Sequence, residues 1–117
     1  MRHTESTFIT KTILAKSLKK YMSIKPFKKI TVNENNDTYK DNALEKVRDL
    51  YEQIGKKYIC IADDSGISID ILNGFPGVHT ARWLDADDHI KNLELLKKVG
   101  NTVKEKRKCH YTTVIAL

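Results

Sequence analysis

Two adjacent aspartates stand between two apolar runs in the middle of this 117-residue chain. Residues 58–62 form the first run, residues 63–66 read Asp-Asp-Ser-Gly, and residues 67–72 form the second run. Short apolar runs separated by turn-forming residues predict two β-strands joined by a tight acidic turn. Such a turn would place both carboxylates at a sheet edge. Because like charges repel, the pair implies a bound cation or hydrogen-bond donors close by.

The acidic segment also has an interpretation that involves no chemistry. In an Asx-type turn, both aspartates would accept hydrogen bonds from nearby backbone amides. Asp70, in the second run, can likewise have a structural or a chemical role. Alternation along a strand places Asp70 and Ser68 on one face, opposite Ile67, Ile69 and Ile71. A structural hydrogen bond and a chemical role both fit that position.

Two helices are predicted on either side of these strands. Thr38, with Asp41 three residues later, resembles a capping box, and apolar residues then recur at helical spacing as far as Gly55. That stripe comprises Ala43, Leu44, Val47, Leu50, Tyr51 and Ile54. A second helix is predicted to begin at a cap on Asp85 and to end at Gly100. Its predicted apolar face comprises Ile90, Leu93, Leu96 and Val99.

The remaining segments complete an α/β fold, a mixed sheet flanked by helices, in a single domain over residues 1–117. Residues 111–117 predict a final strand and residues 28–32 a shorter one. Residues 8–15 fit a strand or the start of a helix, and residues 16–22 fit a basic helix. Because the chain ends inside an apolar strand, the domain is interpreted as truncated, with a strand edge that self-association would cover.

Composition narrows the class of protein further. The hydrophobic content of 40% and charged content of 31% are typical of a soluble globular protein. No apolar run approaches the roughly 20 residues that span a bilayer. The net charge of +6 favours a polyanionic ligand, but the basic runs lack interleaved aromatic residues, which argues against nucleic acid. Cys60 and Cys109 lie in apolar runs and are predicted to be buried free thiols of a cytoplasmic protein, with a disulfide as the alternative.

Three segments around the acidic pair form a specific combination. Ala-Asp-Asp-Ser-Gly at 62–66 is followed by Asp70 and by Asn-Gly-Phe-Pro-Gly-Val-His-Thr-Ala-Arg at 73–82. Upstream, residues 38–43 read Thr-Tyr-Lys-Asp-Asn-Ala. Together with Asn-Leu at 92–93 and the final strand, these segments resemble the signature of the inosine triphosphate pyrophosphatase family. The resemblance covers roughly residues 31–117. Members of that family hydrolyse ITP, XTP and their deoxy forms to the monophosphate and pyrophosphate.

The resemblance implies roles for the acidic residues. Asp64 would be the proton acceptor and a ligand of Mg²⁺, with Asp63 as the accompanying acid and a further ligand of the metal. Glu34, in the loop before the first helix, would be a further metal ligand. Asp41 replaces a family glutamate, so it either shares in metal binding or only caps the helix. Magnesium suits such a site because it binds through one or two carboxylates, water and substrate oxygens.

The resemblance also implies four substrate-binding residues. Ser65 and Arg82 would contact phosphate, although Arg82 fits a surface ion pair as well. Gly66 would hold a turn where the backbone comes close to the substrate. Lys16 would replace the lysine of the family's Thr-Gly-Asn-x-x-Lys loop, whose glycine and asparagine are not found near residues 10–16. Trp83, which follows Arg82, fits core packing or a dimer contact.

Two functional hypotheses follow from this comparison with the family. In the first, the chain is a Mg²⁺-assisted pyrophosphatase of non-canonical purine nucleoside triphosphates that works as a homodimer. The family's Phe-Gly-Tyr-Asp and Ser-His-Arg segments, which recognise the purine base, are not found in this sequence. In the second hypothesis, the chain is therefore a degenerate, non-catalytic nucleotide-binding or interaction module. His79 and His110 lack metal-ligand spacing, and both are predicted to be structural or exposed.

Overall fold

A computed structural model describes Lys19 and residues 35–117 of the chain. Lys16, Glu34 and the elements predicted within residues 8–32 therefore lie outside the described residues. The described helices and strands are α1 (Tyr39–Gln53), β1 (Ala62–Ile69), β2 (Phe75–Pro76), α2 (Asp88–Val99) and β3 (Cys109–Ala116). Short 3-10 helices cover Asp70–Leu72, Gly77–His79 and Lys104–Lys106. The predicted α/β class is confirmed.

The three described strands form a sheet in the order β2-β1-β3. β1 and β2 are antiparallel, with Ile69 opposite Phe75. The chain reverses between them through Asp70–Leu72 and then through Asn73 and Gly74, whose φ angles of 52° and 84° are left-handed. Gly74 N donates to Ile69 O at 3.0 Å and closes this reversal. The sequence Asn-Gly-Phe-Pro-Gly at 73–77 predicts a turn; the structure confirms it at Asn73 and Gly74, whereas Phe75 and Pro76 already form β2.

β3 pairs with the other edge of β1 and is also antiparallel. The hydroxyls of Ser65 and Thr113 lie 3.0 Å apart, whereas the amide of Asp70, after the end of β1, donates to the carbonyl of Lys108 at 3.0 Å. Residue numbers therefore rise along β1 as they fall along β3. The predicted final strand is confirmed, and it begins two residues earlier than expected.

The predicted acidic turn is wrong, because β1 runs through it without interruption. Residues 63–66 lie inside the strand, residues 58–61 precede it, and the strand ends at Ile69 rather than at Leu72. Gly66 is buried in extended backbone and has no positive φ, unlike the other four glycines. Pairing with neighbouring strands decides strand formation here, and it outweighs the local turn preference of Asp, Ser and Gly.

Contacts divide the chain into two compact units, with boundaries inside β1 and β3. The α2 unit is defined here as Ser65–Thr113. The α1 unit is defined as described residues 35–64 together with Val114–Leu117. The core of the α1 unit consists of buried Ala43, Val47, Cys60 and Ala116 with partly buried Leu44, Leu50, Ile54, Ala62 and Val114. The single-domain organisation stays a prediction.

The first helix forms as its sequence predicts. The side chain of Thr38 accepts a hydrogen bond from the amide of Asp41 at 3.1 Å, and its hydroxyl donates to the Asp41 carboxylate at 2.7 Å. Gly55 follows the helix with a φ of 74°. Ala43 and Val47 are buried as predicted, but Tyr51 is 41% exposed.

The second helix begins and packs differently from the prediction. Asp87 is its cap and accepts a hydrogen bond from the amide of Ile90 at 2.9 Å, whereas Asp85 is exposed. Lys91 and Leu95 are the buried residues of α2. The predicted apolar face is wrong, because Ile90, Leu93 and Leu96 are exposed. Gly100 ends the helix as predicted. No helix in the described part of the chain is long and apolar enough to cross a membrane.

The two cysteines lie in different environments and form no disulfide. Cys60 is buried as predicted, but the expectation for Cys109 is wrong, since it begins β3 with an exposed side chain. Burial raises the pKa of the Cys60 thiol. A higher thiol pKa leaves less of the reactive thiolate at neutral pH.

We therefore expect iodoacetamide at pH 7.5 to alkylate Cys109 at least about tenfold faster than Cys60. Peptide mapping by mass spectrometry over a time course measures both rates. In urea, where the chain is unfolded, the two rates should converge. Equal rates in the folded protein would contradict the burial of Cys60.

Candidate active site

Asp64 is a buried carboxylate held by two polar side chains of α1. Its exposed fraction is 7%. Lys46 Nζ donates to Oδ1 at 2.8 Å, and Asn42 Nδ2 donates to Oδ2 at 3.2 Å. Asn42 and Lys46 are four residues apart and so project from the same face of the helix. These three residues are called the Asp64 cluster below. A buried charge is costly unless it is paired and hydrogen-bonded, and this carboxylate has both kinds of partner.

Neighbouring contacts fix the geometry of the Asp64 cluster. The ammonium of Lys46 also donates to the backbone carbonyl of Asp63 at 3.0 Å. Asn42 is fully buried, and its Oδ1 accepts a hydrogen bond from the amide of Asn36 at 3.1 Å. That bond directs the NH₂ group of Asn42 to Asp64. The cluster is therefore preorganised, with a negative carboxylate of defined orientation.

Asp63 is 3% exposed and lies next to Asp64 in the strand. Successive side chains of a strand point to opposite faces of the sheet. The two carboxylates thus do not lie side by side, as the predicted turn would have placed them. The carboxylate of Asp64 contacts α1.

The substrate-binding candidates within the described residues lie in the α2 unit. Ser65 is in β1 with its hydroxyl beside that of Thr113, Gly66 is the next residue of the strand, and Arg82 is exposed in the loop before α2. The structure does not describe Lys16 and Glu34.

The loop that carries Arg82 is tied to its own unit by backbone and side-chain contacts. Thr80 Oγ1 accepts a hydrogen bond from the amide of Ile67 at 2.9 Å. The amide of Arg82 donates to the carbonyl of His79 at 2.8 Å. Trp83 packs edge-on against Phe75 with ring centroids 5.2 Å apart, so the packing role predicted for Trp83 is confirmed.

Other polar candidates are exposed. Asp41 lies in the first turn of α1, and its carboxylate accepts a hydrogen bond from the hydroxyl of Thr38, which is the cap. Asp70 has its Oδ1 3.9 Å from His110 Nδ1, and both side chains are exposed. His79 is exposed as well. Within the described part of the chain, no three His, Cys, Asp or Glu side chains form a group that could hold a metal ion.

A comparison with models of protein families identifies the family of the chain. The model of the Ham1 family matches residues 4–117. The chain belongs to the Ham1 family. This confirms the family resemblance inferred from residues 62–66 and 73–82.

Curated relatives of this Ham1 chain carry the name dITP/XTP pyrophosphatase. The protein of Leuconostoc mesenteroides is 41% identical over 85 residues, which are 72% of this chain and 42% of the relative. That of Aliarcobacter butzleri is 37% identical over 95 residues, 76% of this chain and 48% of the relative. The chain thus spans less than half the length of these two relatives.

Solved structures show the same fold. A nucleoside-triphosphatase described as dITP/XTP pyrophosphatase from Mycobacterium abscessus matches with a TM-score of 0.57 and 25% identity, over 99% of this chain and 68% of that one. The Ham1 protein of Staphylococcus aureus matches with a TM-score of 0.58 and 26% identity, over 98% of this chain and 58% of that one.

Sequence reasoning missed two members of the Asp64 cluster of this Ham1 chain. In the sequence, Asn42 belongs to the Thr-Tyr-Lys-Asp-Asn-Ala segment, and Lys46 belongs to none of the segments that carry the resemblance. A signal was present, because Asn42 and Lys46 stand four apart on the side of α1 that also carries Ala43 and Val47. Polar residues along a predicted apolar stripe indicate a buried polar contact.

Proposed function

We propose that this Ham1 chain hydrolyses the non-canonical purine nucleoside triphosphates ITP, XTP and dITP to the monophosphate and pyrophosphate. Family membership and the names of the curated relatives support the substrate class. The observation that carries the proposal is the buried carboxylate of Asp64, held between Lys46 and Asn42. A preorganised carboxylate of this kind is suited to accept a proton from a nucleophile.

In the proposed mechanism, Asp64 orients a water molecule and accepts its proton as the oxygen attacks the α phosphorus. The bond between that phosphorus and the bridging oxygen to the β phosphorus breaks, and pyrophosphate leaves. Asn42 keeps the carboxylate in one orientation, and Lys46 compensates its negative charge. Phosphoryl transfer depends mainly on such positioning and on charge stabilisation.

Within the Asp64 cluster, the carboxylate of Asp64 is the one group that suits a divalent cation, since Lys46 is itself cationic and the amide of Asn42 is hydrogen-bonded at both ends. Such a cation would take its other ligands from the substrate, from water and from residues outside the cluster. Magnesium uses one or two carboxylates and completes its shell with water and phosphate oxygens. When bound, Mg²⁺ would neutralise charge on the polyphosphate. We assign the metal-ligand role to Asp64. Alternation along β1 turns Asp63 to the other face, so Asp63 supports this ligand through its backbone carbonyl on Lys46. Glu34 is retained as a second ligand on the family resemblance.

The family resemblance supports the remaining parts of the proposal. Ser65 and Arg82 would donate to phosphate, Gly66 would permit close approach of the backbone in extended conformation, and Lys16 would bind the polyphosphate. Coverage of an apolar strand edge supports a homodimer, and the free cysteines support a cytoplasmic location.

Pyrophosphate release tests this function. The purified chain would be incubated with Mg²⁺ and with dITP, XTP, dATP or dGTP in parallel. We expect pyrophosphate release from dITP and XTP above the background of a reaction without protein, because Asp64 supplies the proton acceptor that the attacking water needs. No release from any of the four at high protein concentration would refute the proposal and favour the degenerate, non-catalytic module.

A further inference from the structure

Lys91 is a buried lysine with no part in the function proposed above. Its exposed fraction is 7%, and it shares the buried side of α2 with Leu95. An ammonium removed from water destabilises the fold unless partners compensate the lost hydration. The contacts of this ammonium therefore indicate what the lysine does.

The ammonium of Lys91 contacts the loop that carries Arg82. Nζ donates to the backbone carbonyl of Ala81 at 2.8 Å, and it lies 3.9 Å from Oδ1 of Asp88. Ala81 immediately precedes Arg82. The side chain therefore reaches from the buried side of α2 to the residue before a substrate-binding candidate.

The Lys91 contact fixes one particular peptide group. The carbonyl of Ala81 and the amide of Arg82 belong to the same planar unit, which rotates only as a whole. Lys91 holds the oxygen of that unit, and the carbonyl of His79 accepts from its N–H at 2.8 Å. With both polar ends held, the plane cannot turn, and the direction in which Arg82 leaves the backbone is set.

The geometry points to Lys91 as a positioning residue that presents the guanidinium of Arg82 to the phosphates of the substrate. This inference rests on the proposed function, since it takes Arg82 as a phosphate ligand. Thr80 fixes the other side of the loop through its bond with Ile67, and Lys91 holds this side of the loop from α2. Because the backbone at Arg82 is already fixed, less conformational freedom is lost when its guanidinium binds phosphate, which tightens binding.

Trp83 gives a direct readout of the loop. It is the single tryptophan of the chain and follows Arg82 in sequence. Its ring packs against Phe75, so its fluorescence reports a displacement of residues 81–83. Binding can then be measured without turnover, by titrating inorganic tripolyphosphate against Trp83 emission.

The test compares Lys91→Met with Lys97→Met, a matched control on the exposed side of the same helix. We expect Lys91→Met to shift Trp83 emission and to raise the Kd for tripolyphosphate roughly tenfold, the scale of one charge-assisted hydrogen bond. For dITP, KM should rise by a similar factor while kcat changes less than about twofold, because Arg82 supplies binding rather than chemistry. Lys97→Met should leave all of these values within about twofold.

A double substitution separates positioning from general stability. If Lys91 acts through Arg82, then Lys91→Met should have no further effect on the Kd in an Arg82→Met background. A full additional loss in that background, or an unchanged Kd and emission in Lys91→Met alone, would overturn the inference. Lys91→Arg keeps a donor for the Ala81 carbonyl. The Kd of the Lys91→Arg variant for tripolyphosphate should therefore lie within about threefold of that of the unsubstituted chain. If Lys91→Arg folds but loses as much affinity as Lys91→Met, the inference is also overturned.

The outcomes for the two proposals differ. A chain that fails to hydrolyse dITP, yet binds tripolyphosphate through Lys91 and Arg82 as described, would refute the proposed function and retain the positioning role in binding. A chain that hydrolyses dITP, and does so with the same KM after Lys91→Met, would support the proposed function and refute the positioning role of Lys91.

Discussion

Asp64→Asn is expected to lower the rate of dITP hydrolysis by about a hundredfold or more, the usual contribution of a positioned general base. The amide keeps the size of the carboxylate and can still accept a hydrogen bond, but it cannot take a proton from water. Pyrophosphate release at saturating Mg²⁺ measures the effect. Circular dichroism of the variant checks that the chain remains folded.

Asp70→Asn is the matched control for this substitution. The carboxylate of Asp70 is exposed, and its described contact is with the exposed side chain of His110. We expect its rate to stay within about twofold, since exposed ion pairs contribute little. A comparable loss in both variants would show that the Asp64 cluster is not the catalytic centre.

Lys46→Met is expected to lower the free energy of unfolding by about 3 kcal/mol, because it leaves the charge of Asp64 buried without its ion-pair partner. The ion pair is 2.8 Å long, and the side chains of Lys46 and Asp64 are 14% and 9% exposed. Methionine has nearly the helix propensity of lysine, so the helix itself is little affected. Urea denaturation followed by circular dichroism measures the change.

A thermodynamic cycle isolates the charge effect in Lys46→Met. Adding Asp64→Asn removes the uncompensated charge, so the double variant should recover more than about 1 kcal/mol relative to Lys46→Met alone. Lys40→Met, at an exposed position of α1, should change stability by no more than about 0.5 kcal/mol. If the double variant shows no recovery, the ion pair does not stabilise the fold in the way that the structure indicates.

Local signals in the sequence predicted α1 and the turn after β1. The cap at Thr38, the apolar spacing and Gly55 are all encoded within one stretch, and Asn73 with Gly74 supplies the left-handed residues that a tight reversal needs. Such features depend on neighbours in sequence, so they can be inferred without knowing the fold.

The acidic segment could not be placed correctly from local preference. Asp, Ser and Gly favour turns, but the partners of β1 are in β2 and β3, the latter more than forty residues away along the chain. The same limit applies to α2, where Lys91 rather than Ile90 is buried. A lysine on the inside of a helix becomes understandable only once the Ala81 carbonyl is seen beside it.

For the candidate site, the sequence predicted the importance of Asp64 but not its surroundings. The resemblance singled out the residue, while the structure supplied Lys46 and Asn42 as its partners. Which side chains meet a buried carboxylate depends on how α1 packs against β1, and no local pattern encodes that.

The most direct test of the proposed chemistry is hydrolysis of dITP in ¹⁸O-enriched water, followed by mass spectrometry of both products. Attack on the α phosphorus by a water activated at Asp64 predicts the label in the nucleoside monophosphate and none in pyrophosphate. Label in the pyrophosphate, or product that forms equally fast with Asp64→Asn, would contradict the account.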